Sequence, residues 1–160
     1  MSFAVAVIDA LRKRNWKLAT AESCTGGMVA VAITDISGSS DVFERGFVTY
    51  SNLSKAEMLG VVPAIIATHG AVSSQVAKAM AEGALLYSKA QVAVAVTGVA
   101  GPGGGSDKKP VGLVHFAVAA NSASTTHCEM KFGSLSREEI REKARDVALQ
   151  FVLDQLKVLP

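Results

Sequence analysis

Apolar residues at Val5, Ile8, Ala10 and Leu11 recur at helical spacing and predict an amphipathic helix from about Phe3 to Arg14. Lys17 to Ala21 is short and extended, a strand that delivers the turn Thr20-Ala21-Glu22-Ser23-Cys24-Thr25-Gly26-Gly27. The apolar run from Met28 predicts a helix to about Ile36, stopped by Ser37-Gly38-Ser39-Ser40. Phe43 to Gly46 reads as a connector and Phe47 to Ser51 as a strand, with Asn52 or Ser54 capping a short helix that carries Lys55, Met58 and Leu59. Pro63 opens another short helix ending at Gly70, and Ser73 precedes a longer one, Gln75 to about Ser88, with Val76, Met80, Ala84 and Tyr87 on one side. Val92 to Val96 is continuously apolar, as suits a central strand covered on both faces. After a glycine-rich stretch, Gly112 to Ala120 and Thr125 to Phe132 predict a hairpin turning at Asn121-Ser122. Ser136-Arg137-Glu138-Glu139 is a capping box opening a helix to about Leu156. This alternation predicts an α/β fold, three-layered α/β/α, with a mixed, mainly parallel central sheet.

Composition narrows the function classes. The 160 residues fit one domain, 1–160, and 49% hydrophobic against 19% charged residues excludes a disordered chain. Mean hydropathy is +0.32, yet no run reaches the roughly 18 apolar residues of a spanning helix, so no membrane partner is expected. Met1 to Arg14 lacks the basic-then-apolar order of a secretory signal, and a cytoplasmic location is expected. Sixteen Lys and Arg against 14 Asp and Glu are spread along the chain without a basic stripe, which argues against a nucleic-acid partner. Cys24 and Cys128 are too few and too far apart for a disulfide framework or zinc site; reduced thiols, no metal and no cofactor are the expectation. A small apolar-rich α/β domain of this kind is expected to form a homodimer.

Two stretches carry candidate chemistry. The 20–27 turn lies between strand and helix, where hydroxyl side chains and unpaired backbone N–H groups meet a helix N-terminus. A nucleophile and an oxyanion site fit there, as does simple capping by Ser23, Cys24 and Thr25. Ser23 needs a base; Lys55 serves if burial or a cation lowers its pKa by roughly 2 to 3 units, and is otherwise a solvated helix lysine. Cys24 is either a thiol nucleophile or a buried structural cysteine. The second stretch, Thr97 to Ser106, is a flexible loop or an anion nest. It is neither a P-loop nor a dinucleotide fingerprint, lacking the Gly-Lys-Ser/Thr ending and the G-x-G-x-x-G pattern before a helix. Ser106-Asp107-Lys108-Lys109 matches S-x-x-K only formally, because glycine and proline bound it where a helix is required. His69, His115 and His127 are unclustered in sequence. Arg137 and Arg141, four apart, either bind a phosphate or pair with neighbouring glutamates.

The order of Ala21-Glu22-Ser23-Cys24-Thr25-Gly26-Gly27, Gly46-Phe47-Val48-Thr49-Tyr50-Ser51-Asn52 with Lys55, Gly70-Ala71-Val72-Ser73, and Thr97-Gly98-Val99-Ala100-Gly101-Pro102 with Lys109-Pro110-Val111-Gly112 closely resembles the CinA C-terminal domain family, over about Val5 to Leu153. The resemblance points to the family's stand-alone form. It implies hydrolysis of the carboxamide of nicotinamide mononucleotide (NMN) to nicotinate mononucleotide and ammonia, in pyridine-nucleotide recycling. It also implies a catalytic pair falling on Ser23 and Lys55, with Tyr50 close by to orient Lys55 or relay its proton, and site positions at Thr97 and Arg137. Where the family reads Gly-Asp-Arg, this chain has Leu135-Ser136-Arg137, so the acid beside Arg137 is absent. Under this reading the Ser23-to-Gly27 turn, with Gly26 and Gly27, holds the oxyanion, and Glu22 faces the cationic pyridinium. Arg137 with the 98–105 loop, including Gly98 and Gly101, holds the 5′-phosphate. Two alternatives stand beside it: a nucleotide- or partner-binding module without catalysis, and a serine amidase for another small amide. The presence of Ser23, Tyr50 and Lys55 together favours an enzyme.

Overall fold

Five strands form one sheet in the computed structural model, which describes residues 2–160. They are β1 (Leu18–Glu22), β2 (Phe43–Val48), β3 (Val92–Gly98), β4 (Leu113–Ala120) and β5 (Ala123–Lys131), in the order β2-β1-β3-β4-β5. β1 pairs parallel with β2 and β3; β4 pairs antiparallel with β3 and β5. Four strands therefore point one way and β4 alone the other. Among the described residues six α-helices accompany them: α1 (Phe3–Arg14), α2 (Met28–Thr34), α3 (Asn52–Leu59), α4 (Pro63–His69), α5 (Ser74–Leu86) and α6 (Arg137–Val158), with one 3-10 turn at Ser39–Asp41.

The two faces of the sheet are built from different residues, and the pleat explains how. Val92, Val94 and Val96 of β3 and Val114, Phe116 and Val118 of β4 point to one side, into a core closed by α1, α2 and α6. Alternate positions point to the other: Ala19 and Ala21, Ala93 and Ala95, Ala117 and Ala119. That alanine face lets α5 settle close to the sheet through Ala77, Met80, Ala81 and Ala84. On the same helix a Cβ at Gly83 would collide with the Leu59 carbonyl oxygen, so glycine allows α3 to lie against α5. The helix that carries Lys55 is seated by this contact.

Most predicted elements fall where the pattern puts them, and the capping box is formed, with Ser136 Oγ accepting from Glu139 N. One element differs. Phe43 to Gly46, read as a connector, is the first part of β2, and the strand ends at Val48 rather than Ser51. β2 is an edge strand with one partner and exposed faces, so its residues alternate poorly and its start gives no apolar signal. The earlier start leaves Thr49-Tyr50-Ser51 free to cross above the end of β1. Among the described residues no helix is long and apolar enough to cross a membrane.

Candidate active site

The C-terminal ends of the parallel strands β1 and β3 converge on one cleft of about 200 Å³. Its walls include Ser23, Cys24, Tyr50, Lys55, Thr97 and Arg137. Ser23 follows β1 directly and its N–H donates to Val96 O of β3 at 3.0 Å, which fixes the serine at the sheet's end. Lys55 lies on the first turns of α3, capped by Ser51 Oγ accepting from Ser54 N, and is the largest fully buried side chain, 1% exposed.

Lys55 Nζ lies 3.1 Å from Ser23 Oγ, 3.0 Å from Thr49 O and 3.2 Å from Tyr50 O. No carboxylate is among these partners. As an ammonium the nitrogen donates to all three; as a neutral amine it has two hydrogens, which the two carbonyls accept, and its lone pair is left facing the Ser23 hydroxyl. Burial pushes the Lys55 pKa below its ordinary 10.5, the direction a general base requires. Cys24 moves the other way: burial raises its thiol to about 11, so at neutral pH it is an uncharged thiol and a poor nucleophile.

The turn after Ser23 supplies donors. Ser23 N, Gly26 N and Met28 N are taken by Val96 O, Ser23 O and Thr25 O, whereas the N–H groups of Cys24, Thr25 and Gly27 have no oxygen acceptor among the described residues. Arg141 braces the turn from α6, with Nε donating to Cys24 O at 3.0 Å and Nη2 to Thr25 O at 3.3 Å.

The sequence model of the CinA C-terminal domain matches residues 1–156. The chain belongs to the CinA C-terminal domain family. It is 50% identical over 156 residues to the nicotinamide-nucleotide amidohydrolase PncC of Escherichia coli, covering 97% of this chain and 93% of that protein. It is 49% identical to a CinA-like protein of Akkermansia muciniphila over 97% of this chain, but spans 37% of that protein's length. Among solved structures, the competence/damage inducible protein CihA of Agrobacterium tumefaciens superposes with a TM-score of 0.94 at 50% identity, covering 97% of this chain and 93% of that one.

Within this CinA domain the other expected site residues divide. Thr97 lines the cleft, with Oγ1 donating to Ala71 O at 2.8 Å, and Gly98 lies beside it. Arg137 stands at the rim, where Nη1 donates to Gly101 O at 2.7 Å and Nη2 to Tyr50 Oη at 2.9 Å. Gly101 thus contributes a carbonyl that positions Arg137, not a donor to the cleft. Of the Thr97–Ser106 stretch, Thr97, Gly98 and Ala100 line the cleft, whereas Gly103 to Ser106 are exposed and do not.

Three expected roles are corrected. Glu22 does not face the cleft: it is 1% exposed, and its carboxylate oxygens accept from Val29 N at 2.8 Å and Ala30 N at 3.1 Å, capping α2 from the strand. A carboxylate satisfied by two amides at a helix start is the stable arrangement there. Gly26 and Gly27, at φ +58° and +109°, turn the chain into α2 and border a larger groove of about 630 Å³ between α1, α2 and α6, which contains neither Ser23 nor Lys55. Tyr50 is 61% exposed and its hydroxyl accepts from Arg137; its contact with Lys55 is through the main-chain carbonyl, so the side chain is not a proton relay to Lys55.

Sequence reasoning missed Thr49, whose carbonyl accepts from Lys55, because a main-chain acceptor leaves no mark on residue type. It also missed the histidine pair. His115 Nδ1 lies 2.9 Å from His127 Nε2, with the rings stacked at 5.2 Å, because the β4–β5 register brings them together outside the cleft.

Proposed function

We propose that this chain is a nicotinamide-nucleotide amidohydrolase in which Ser23 is the nucleophile and Lys55 the general base. The observation that supports it is the buried Ser23–Lys55 contact, with both remaining Lys55 hydrogens committed to Thr49 O and Tyr50 O. The identity to PncC over nearly the whole of both chains supports NMN as substrate.

The neutral Lys55 amine takes the Ser23 proton as Oγ attacks the carboxamide carbon. The carbonyl oxygen becomes an oxyanion, received by the free N–H of Cys24, the cleft-lining residue after the nucleophile. Lys55, now an ammonium, gives its proton to the departing amide nitrogen, which leaves as ammonia, and Ser23 is acylated. Water then attacks the ester; Lys55 takes the water proton and returns it to Ser23, releasing the carboxylate. Arg137 at the rim, beside the Tyr50 hydroxyl, meets the 5′-phosphate, while Thr97 and Gly98 border the end that receives the carboxamide. The chain acts as a cytoplasmic homodimer in pyridine-nucleotide recycling.

The test is product analysis with the purified chain and NMN. The reading expects one ammonia and one nicotinate mononucleotide per NMN consumed. Intact NMN after prolonged incubation with natively folded protein would overturn it and favour another small amide.

A further inference from the structure

The arginine that touches the nucleophile turn is Arg141, one helical turn beyond Arg137 on α6. Its guanidinium binds two consecutive carbonyls, Cys24 O and Thr25 O. Each carbonyl belongs to a peptide whose other end is an N–H. For the second peptide that end is Gly26 N, already donating to Ser23 O at 3.1 Å. For the first it is Thr25 N, two residues after the nucleophile and without an acceptor among the described residues.

Thr25 is fully buried and does not line the cleft, so this N–H does not itself meet substrate; Cys24, next to Ser23, does line it, and its N–H also has no oxygen acceptor among the described residues. Two hydrogen bonds from one guanidinium to consecutive carbonyls fix the peptide planes of the turn and hence the direction of the Cys24 N–H. The local sequence makes room for this contact: a Cβ at Gly26 would lie 3.3 Å from Arg141 Nη2, tighter than side chains ordinarily pack, and Gly26 holds φ +58°. α2 has only seven residues, so its own dipole gives the turn little help.

We propose that Arg141 is a positioning residue of the amidase: by holding the Cys24 and Thr25 carbonyls it fixes the turn that follows Ser23, and with it the direction of the free Cys24 N–H at the cleft wall, which receives the oxyanion. The inference rests on the Ser23 reading of the site. It separates the two arginines of one helical face, Arg137 acting on substrate at the rim and Arg141 acting through the main chain beneath the nucleophile.

The experiment compares NMN with its thioamide analogue on wild type, Arg141→Ala, Arg141→Lys and Ser23→Ala. Sulfur accepts hydrogen bonds poorly, so a defect in oxyanion donors shows on the amide and is muted on the thioamide. Arg141→Ala is expected to lower kcat on NMN about 10²-fold, the scale of one lost oxyanion donor, with KM within about threefold of wild type and a much smaller fall on the thioamide. Arg141→Lys, which keeps the charge but loses the two-pronged grip, is expected to show the same bias more weakly and supplies the answer if the alanine variant does not fold. Equal losses on both substrates, or no loss on either, would overturn the proposal. Ser23→Ala must abolish turnover of both; if it does not, the nucleophile assignment fails independently of Arg141.

Discussion

Lys55 Nζ and Ser23 Oγ lie 3.1 Å apart in a site where the lysine's other partners are two main-chain carbonyls, Thr49 O and Tyr50 O. A lysine paired with a carboxylate would stay charged; one held by carbonyls in a buried pocket is biased toward the neutral amine. The bend between β2 and α3 therefore does chemical as well as structural work, because it aims both carbonyls at one nitrogen.

The Lys55 pKa, lowered by burial, carries a pH signature. Catalysis requires the neutral amine, so kcat/KM rises with pH through the folded-state pKa, with its midpoint below 10.5. The stability sign follows from the same shift: between the lowered folded pKa and 10.5 the unfolded chain binds a proton the folded chain does not, so stability rises with pH across that window. Lys55→Met removes this dependence. Thermal melts are expected to show Lys55→Met at least as stable as wild type at about pH 7, with wild type gaining on it toward about pH 10.

Glu22 is a structural carboxylate, and its removal is expected to read as lost stability. Glu22→Ala leaves Val29 N and Ala30 N without acceptors at a buried helix start. Urea unfolding is expected to show a loss of about 2 kcal/mol. KM for NMN is expected to stay near the wild-type value, whereas a pyridinium-facing role would raise it.

Arg137 separates substrate parts. With its guanidinium at the cleft rim, Arg137→Ala is expected to raise KM for NMN by about 10-fold or more, on the scale of a lost charge-assisted hydrogen bond. Nicotinamide riboside, which lacks the phosphate, should show little change. Equal effects on both substrates would remove the phosphate role.

Gly83 tests how α3 is seated. Alanine in a helix interior ordinarily favours the helix, but at this position its Cβ meets the Leu59 carbonyl oxygen. Gly83→Ala is expected to destabilise by about 1 to 3 kcal/mol in denaturant unfolding and to lower kcat, because α3 carries Lys55 away from Ser23 when it is displaced.

Much of this was legible in the sequence, for identifiable reasons. The apolar run of β3 and the Ser136 capping box have local signals that tertiary contacts reinforce. Ser23 and Lys55 are legible as a possible nucleophile and base, but with 32 residues between them either also reads as a cap or a surface lysine, and the order of the motifs around them is what favours the pair. Glu22 was misassigned because a carboxylate beside a nucleophile signals charge, while its burial depends on where α2 begins. The carbonyls of Thr49 and Tyr50 and the grip of Arg141 on the turn are main-chain interactions, which residue identity does not encode. The His115–His127 pair depends on strand register, which alternation in a single strand does not set.

The central claim, that Ser23 and Lys55 act as one unit, is tested most directly by a double-mutant cycle on ammonia release from NMN. Ser23→Ala, Lys55→Met and the double variant, each checked for native fold, are expected to fall by roughly 10⁴-fold or more, with the double no slower than the worse single. Lys55→Met retaining most of the wild-type rate, or a double variant showing the product of two independent losses, would contradict it.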